Sequence, residues 1–248
     1  MSILTDILDK GIVFDIAIVL FIAIFAIAGA KQGVIKGAVS LVGIIIVFLV
    51  AFQLKDPFGN FLCKYFPFFT FKSELEGLVS INILIYQLLA FIIIIVLLLS
   101  IYGILTTVSG LLQKLVNATI ILKLPSAIGG FIIGVLEGYL FAFLILLFLV
   151  LPFQNFKMYK NSYLVNTIVY KSPILSSSTS NVTNSITDIY TVADKVVNKK
   201  ISTNDANLQI IDTMIKYDIT TAHTVEQLVI LDKLEGVKGI DKVIAKYK

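Results

Sequence analysis

Between Gly77 and Gln113 the chain carries no charged side chain, and three other stretches are nearly as apolar. These runs constrain the fold more than any motif. A helix that crosses a bilayer needs about 20 mostly apolar residues. Four segments meet that requirement, at residues 12–30, 37–54, 80–105 and 126–151. Composition agrees. Hydrophobic residues make up 58% of the chain and charged residues 15%, against about 25% charged in soluble domains. The expected fold is all-α: a polytopic membrane protein with about four transmembrane helices and a small helical C-terminal domain. The third run exceeds one span. It is expected to tilt, or to end near Leu105 and continue as an interfacial piece, TTVSGLLQKLVNATIILK. Pro125 suits the first turn of the fourth helix, where a missing N–H costs nothing, and Pro152 suits its end.

The start of the chain, MSILTDILDKG, carries Asp6, Asp9 and Lys10 in place of a basic leader, and no small-x-small site follows it. Residues 12–30 are therefore expected to stay as a membrane helix.

Several function classes find no support. Every strong cation is Lys, and Arg is absent. Arg is the usual bidentate reader of bases and phosphates, and the net charge of +4 is mild. Nucleic acid is not expected as a partner. Cys63 is the single cysteine and His223 the single histidine. No intramolecular disulfide and no Cys/His zinc cluster can be built from one of each, so no metal and no cofactor is expected. His223 reads as a surface residue of a small helical domain. The chain has no Walker loop, no HExxH, no nucleophile elbow and no carboxylate pair in a soluble segment. No catalytic residue is assigned, and the protein is expected not to be an enzyme. A Ser-Lys dyad in the tail is the residual enzymatic reading.

The membrane segments are apolar all round, so periodicity does not orient them. Small residues say more. Glycines four apart let helix backbones approach closely, which is a main source of attraction between helices in lipid. Gly29, Gly33 and Gly37 form one such ladder across the first connection, and Gly130, Gly134 and Gly138 form another in the fourth span. These six are the expected helix-packing residues.

Two acids lie in the apolar segments. Glu137 sits inside GGFIIGVLEG, roughly 16 Å along the helix from Ser126 at about 1.5 Å per residue. An ionised acid there costs about 2.5–3.5 kcal/mol, so it should face the bundle or a water-filled cavity, or be neutral. Two readings stay open: a proton- or ion-linked site, or an acid held in a helix interface. Asp15 is near the start of its span. It reads as a capping or snorkelled residue, with an ion pathway as the alternative. Lys31 and Lys36 are expected to anchor at the lipid headgroups. Asn82, Gln87, Ser100 and Tyr102 in the third span are expected to hydrogen-bond between helices.

After Pro152 the composition changes. Residues 153–187 are rich in Ser, Thr and Asn, and SPILSSSTSNVTNSIT is expected to be a linker. Residues 188–248 read as a small helical soluble domain. TNDANLQIIDTMIKY sets Leu208, Ile211, Met214 and Ile215 on one face, and TVEQLVILDKLEG is expected to start at a Thr cap and stop at Gly236. The domain is small enough to gain from docking on the membrane or on a partner.

The first two spans, the long third and the sequence AIGGFIIGVLEGYLFAFLILLFLVLP together resemble the CvpA family of colicin V production proteins, over about residues 12–152. The matching features are Asp15, then Gly29, Lys31, Gly33 and Lys36 in a basic Gly-containing turn, then the Gly130, Gly134 and Gly138 ladder. Two positions depart from the pattern. Ser126 and Ala127 replace an Asp-Arg pair frequent in relatives, and Glu137 replaces a basic residue. The resemblance implies an integral protein of the bacterial plasma (inner) membrane that supports toxin production or secretion and envelope homeostasis. Its implied partners are the lipid bilayer and either itself or other membrane proteins. The alternative is a small channel or transporter using Glu137. Lysines fall on both sides of the spans, so the positive-inside rule gives no clear orientation and leans only slightly towards termini in the cytoplasm. Some serine proteases with a similar membrane part carry their extra domain outside the cytoplasm, which implies an extracytoplasmic residue range 153–248.

Overall fold

The computed structural model of the chain describes residues 11–116, 123–173 and 175–248, and side chains over all of these except 105–124 and 178. The first ten residues, on which the uncleaved start was read, lie outside the described residues. So do residues 117–122 of the expected interfacial piece. Its earlier part continues the third helix as far as Val116.

Among the described residues the secondary structure is helical throughout. The helices are α1 (Ile12–Gln32), α2 (Val34–Tyr65), α3 (Ile81–Val116), α4 (Lys123–Phe153), α5 (Lys157–Lys160), α6 (Tyr163–Lys171), α7 (Leu175–Val197), α8 (Thr203–Lys216), α9 (Ala222–Ile230) and α10 (Ile240–Ala245). Four of them are long and apolar enough to cross a membrane: α1, α2, α3 over Ile81–Ile104, and α4 over Pro125–Phe153. The all-α, four-span architecture follows from the apolar runs. One boundary differs. The second helix does not stop near Leu54. It continues through the Lys55–Asp56 ion pair and Pro57 to Tyr65. Apolarity ended where the span ends, but the helix does not.

Residues 153–187, expected as a linker, are mostly helical, in α5, α6 and the first half of α7. Composition misled here because α7 is narrow in its apolar stripe. Ile186, Ile189, Val192 and Val196 are buried at helical spacing. The hydroxyls of Thr187 and Thr191 bond back to the carbonyls of Thr183 and Thr187, at 2.9 and 3.0 Å. Ser and Thr often favour turns because they compete for the backbone, but here they are absorbed into the helix.

The chain divides into two compact units. The first comprises residues 1–50 and 95–178. Within it α1 packs along α4. The Phe25 and Phe141 rings lie 5.2 Å apart. Past the fourth span, α5 and α6 fold back onto α1. Tyr159 of α5 is buried, meets the Phe14 ring edge-on at 5.6 Å, and donates to the Leu146 carbonyl at 2.6 Å.

The second unit comprises residues 51–94 and 179–248. It therefore joins the parts of α2 and α3 next to their connection with the C-terminal helices. Its core includes Leu78, Ile83 and Leu84 of the connection and α3, and Ile210, Ile211, Met214 and Leu228 of α8 and α9. Ser202 caps α8, accepting the Asp205 N–H, and Thr221 caps α9, accepting the Thr224 N–H at 3.1 Å. The second cap corrects the sequence reading. The cap lies three residues before Thr224, and the helix starts at Ala222 and ends at Ile230; Thr224 is buried in its first turn, and Asp232 turns the chain with φ 55°. Of the expected α8 face, Ile211, Met214 and Ile215 are buried, while Leu208 is half-buried.

Candidate functional site

The seam between α1 and α4 is made of glycine against glycine. A Cβ built on Gly29 would stand 2.3 Å from the Gly130 carbonyl oxygen and 2.8 Å from the Gly134 Cα. On Gly134 it would meet the Phe25 carbonyl oxygen at 2.3 Å, and on Gly138 the Ile22 Cα at 3.1 Å. No larger residue fits where backbone faces backbone. The first ladder is bent, not straight. Gly33 ends α1 with φ 83°, a left-handed value that L side chains rarely adopt. A Cβ on Gly37, now in α2, would stand 3.1 Å from the Ile133 side chain of α4. All three glycines of the first connection thus approach α4.

The bend at Gly33 exposes the first N–H groups of α2, which need acceptors from outside the helix. Ser126 of α4 supplies one, its Oγ accepting from the Val34 N–H at 3.1 Å. This is one of the two positions where the family resemblance led one to expect an Asp-Arg pair.

Asp15 plays the same part for another helix. Its carboxylate accepts from the Ser162 hydroxyl, from the Leu164 N–H at 2.9 Å and from the Tyr163 N–H at 3.4 Å. Ser162 is itself the N-cap of α6. The acid therefore sits at the positive end of a short helix, where a negative charge is favoured. Gly11 makes this approach feasible. A Cβ there would fall 2.3 Å from the Ser162 backbone nitrogen.

Glu137 is buried on α4 with 6% of its surface exposed. The Ser40 hydroxyl of α2 lies in hydrogen-bonding reach of its carboxyl, and Oε1 has no partner among the described residues. Three residues further along α2, Gly43 faces the Tyr102 ring, whose buried hydroxyl also has no partner among the described residues. Lys31 and Lys36 are exposed.

Gln87 bonds to another helix as expected, donating to Asn60 Oδ1 at 2.9 Å. Among the described residues the other polar side chains of the third span do not. Asn82 bonds to the Phe69 backbone and the Val79 carbonyl. Ser100 donates to the Val96 carbonyl of its own helix. Asn and Ser can be satisfied by the nearest backbone, and spacing alone does not reveal that choice.

Sequence reading missed Asn207. Its Oδ1 accepts from the Ser80 N–H at 3.0 Å and the Ser80 hydroxyl at 2.7 Å, and its Nδ2 donates to the Gly77 carbonyl at 2.8 Å. An Asn on the apolar face of an otherwise amphipathic helix was the available signal.

The family model described as colicin V production protein matches residues 14–173. The chain belongs to that family. No curated protein and no solved structure matches it. The matched region of this colicin V production family protein runs from the residue before Asp15 to just past α6. It therefore takes in both sides of the Asp15–Ser162 contact and extends past Pro152, where the sequence resemblance had stopped.

Proposed function

We propose that this membrane protein of the colicin V production family is a non-enzymatic helper of toxin or bacteriocin production or secretion and of envelope homeostasis. It works in the bacterial plasma (inner) membrane by associating with itself or with other membrane proteins, and residues 153–248 lie outside the cytoplasm. The observation that carries this reading is the α1–α4 seam, in which backbone meets backbone at Gly29, Gly130 and Gly134. A contact with so little side-chain freedom suits a rigid platform, and it leaves apolar side chains such as Ile16, Ile24, Val42 and Ile46 exposed for lipid or a membrane partner.

A second reading, a small channel or transporter, draws on Glu137, whose buried Oε1 has no partner among the described residues and whose neighbour is Ser40. Purified protein in liposomes separates the two. The helper reading expects no ion or proton flux above that of empty vesicles. A flux that Glu137→Gln abolishes would reject it. Orientation is tested by cysteine labelling in a chain lacking Cys63. A cysteine at exposed Lys242 should react with an impermeant reagent in intact cells, and labelling only after membrane disruption would place the tail inside.

A further inference from the structure

The segment that leaves the fourth span turns back onto the membrane helices. α5 and α6 pack on α1, and α6 also packs on α4, all within the first compact unit. Hydrogen bonds fix their level. The Tyr159 hydroxyl of α5 donates to the Leu146 carbonyl at 2.6 Å, and the Leu164 N–H of α6 donates to the Asp15 carboxylate at 2.9 Å. At the far end of α6 the Ser172 and Tyr139 hydroxyls share a hydrogen bond. Asp15, Tyr139 and Leu146 all lie inside the helices long and apolar enough to cross a membrane, Ile12–Gln32 and Pro125–Phe153. At about 1.5 Å per residue, Asp15 is roughly 5 Å past residue 12 and Leu146 roughly 8 Å short of residue 151. α6 therefore begins and ends against the flanks of two spans, and not beyond them.

The side chains of α6 suit that level. Val165, Ile168 and Val169 form its buried face. Its polar side chains are spent on the nearest backbone. Asn166 Nδ2 donates to the Lys160 and Ser162 carbonyls at 2.8 and 2.7 Å, and the Thr167 hydroxyl donates to the Tyr163 carbonyl at 2.8 Å. The Ser172 hydroxyl donates to the Ile168 carbonyl. Where water is scarce, polar groups need such internal partners. On the outer side stand Tyr163, 72% exposed, and Tyr170, 42% exposed. They are seven residues apart and so share a helix face. Tyr concentrates at the boundary between hydrocarbon and headgroups. Charge points the same way. Residues 153–187 contain Lys157, Lys160 and Lys171 and no acid, and Lys160 and Lys171 are exposed.

We propose that α6 is an interfacial helix that binds anionic lipid. It lies at the lipid–water boundary along the flanks of α1 and α4, with Tyr163 and Tyr170 towards lipid and Lys160 and Lys171 at the phosphate headgroups. The long lysine stems let the ammonium groups reach the headgroups while the helix itself sits lower. The membrane part of the chain then comprises the four spans and the α6 segment, on whichever side of the membrane the tail lies.

The chain contains no Trp, so Tyr163→Trp and, separately, Tyr170→Trp each create a single reporter. The full chain is reconstituted in nanodiscs of phosphatidylcholine and phosphatidylglycerol, with one or the other lipid brominated near the top of the acyl chain. The expected result is blue-shifted emission from both reporters, quenched by either brominated lipid and more strongly by the phosphatidylglycerol. Lys160→Gln and Lys171→Gln together should abolish that preference and leave the quenching by phosphatidylcholine. Emission typical of water, unquenched, from a chain of unchanged helicity would overturn the proposal. Blue-shifted emission without quenching would also overturn it, because protein would then cover the helix instead of lipid. Equal quenching by the two lipids with both lysines present would overturn the assignment of Lys160 and Lys171 to anionic headgroups.

Discussion

Asp15 in the first span accepts a hydrogen bond from the hydroxyl of Ser162, 147 residues later in the chain. The contact ties the start of the first membrane helix to the segment that leaves the last one. It makes an acid near the membrane an acceptor for the first turn of α6, beside that helix's own N-cap Ser162.

Removing that acid strands donors. Asp15→Ala leaves the Ser162 hydroxyl and the Leu164 N–H without their acceptor, and should cost about 1–3 kcal/mol. Thermal unfolding in detergent measures the loss, and amide exchange at Tyr163 to Val165 should rise with it. Asp15→Asn, which keeps one oxygen, should cost less. Equal stability in wild type and Asp15→Ala would remove the capping role.

The glycines of the two ladders should not behave alike. Gly130→Ala sets a Cβ 2.2 Å from the Gly29 carbonyl oxygen, so the helices must separate. The expected cost is about 1–3 kcal/mol or more. Gly37→Ala meets only the Ile133 side chain at 3.1 Å. There the gain in helix propensity, about 0.8–1 kcal/mol, offsets the crowding, and stability should barely change. Unfolding of the two variants side by side in one detergent tests the contrast.

Asn207 satisfies three polar groups of the span 3 approach at once. Asn207→Leu should leave the Ser80 N–H and hydroxyl unpaired inside the unit, while the Gly77 carbonyl keeps its bond from the Val79 N–H, at a cost of about 2–4 kcal/mol. Limited proteolysis should then cut the residue 66–80 connection faster. Asn207→Asp keeps the acceptor and loses only the donor, so it should fall between wild type and Leu. A Leu variant as resistant as wild type would contradict the role.

Acid should weaken the contact between α8 and the C-terminus. Burial pushes the Asp212 carboxyl up, but hydrogen bonds from Lys246 and Tyr247 outweigh it, and the net value lies below the ordinary one. A lowered acid contributes stability that is complete above its unfolded value, about 3.9. That contribution is lost as pH falls through the folded value. The stability difference between wild type and Asp212→Asn should therefore be constant above about pH 5 and shrink below about pH 4. A difference that grows on acidification would reverse the sign.

Glu137→Gln is expected to leave folding and assembly intact, because the amide retains an oxygen for Ser40 and removes only a charge. Size-exclusion chromatography in detergent reads this directly. Loss of folded protein would mean that the acid is part of a structural ion pair.

Four spans were legible because hydrocarbon thickness sets one length and one polarity for any helix that crosses it. Length and apolarity are properties of the sequence alone. The glycines stand out in the sequence for a related reason, since only a missing side chain permits backbone contact. The second half of α2 and the helices of residues 153–187 were not, because charge at Lys55 and Asp56 and hydroxyl-rich composition mask a helix that tertiary burial sustains. Ile186, Ile189, Val192 and Val196 carry the right spacing, but four positions among many Ser and Thr are a weak signal.

What only the tertiary structure decided is where the polar groups point. Helices apolar on every side carry no moment to orient Glu137 or Asp15, so sequence could place each acid along its helix but not around it. Ser40, Ser126 and Ser162 looked like ordinary small polar residues. Each acquires its role from a helix far away in the chain, whose unpaired N–H or carboxyl needs a partner where water is scarce. That need is local and physical, but the partner that meets it is chosen by the fold.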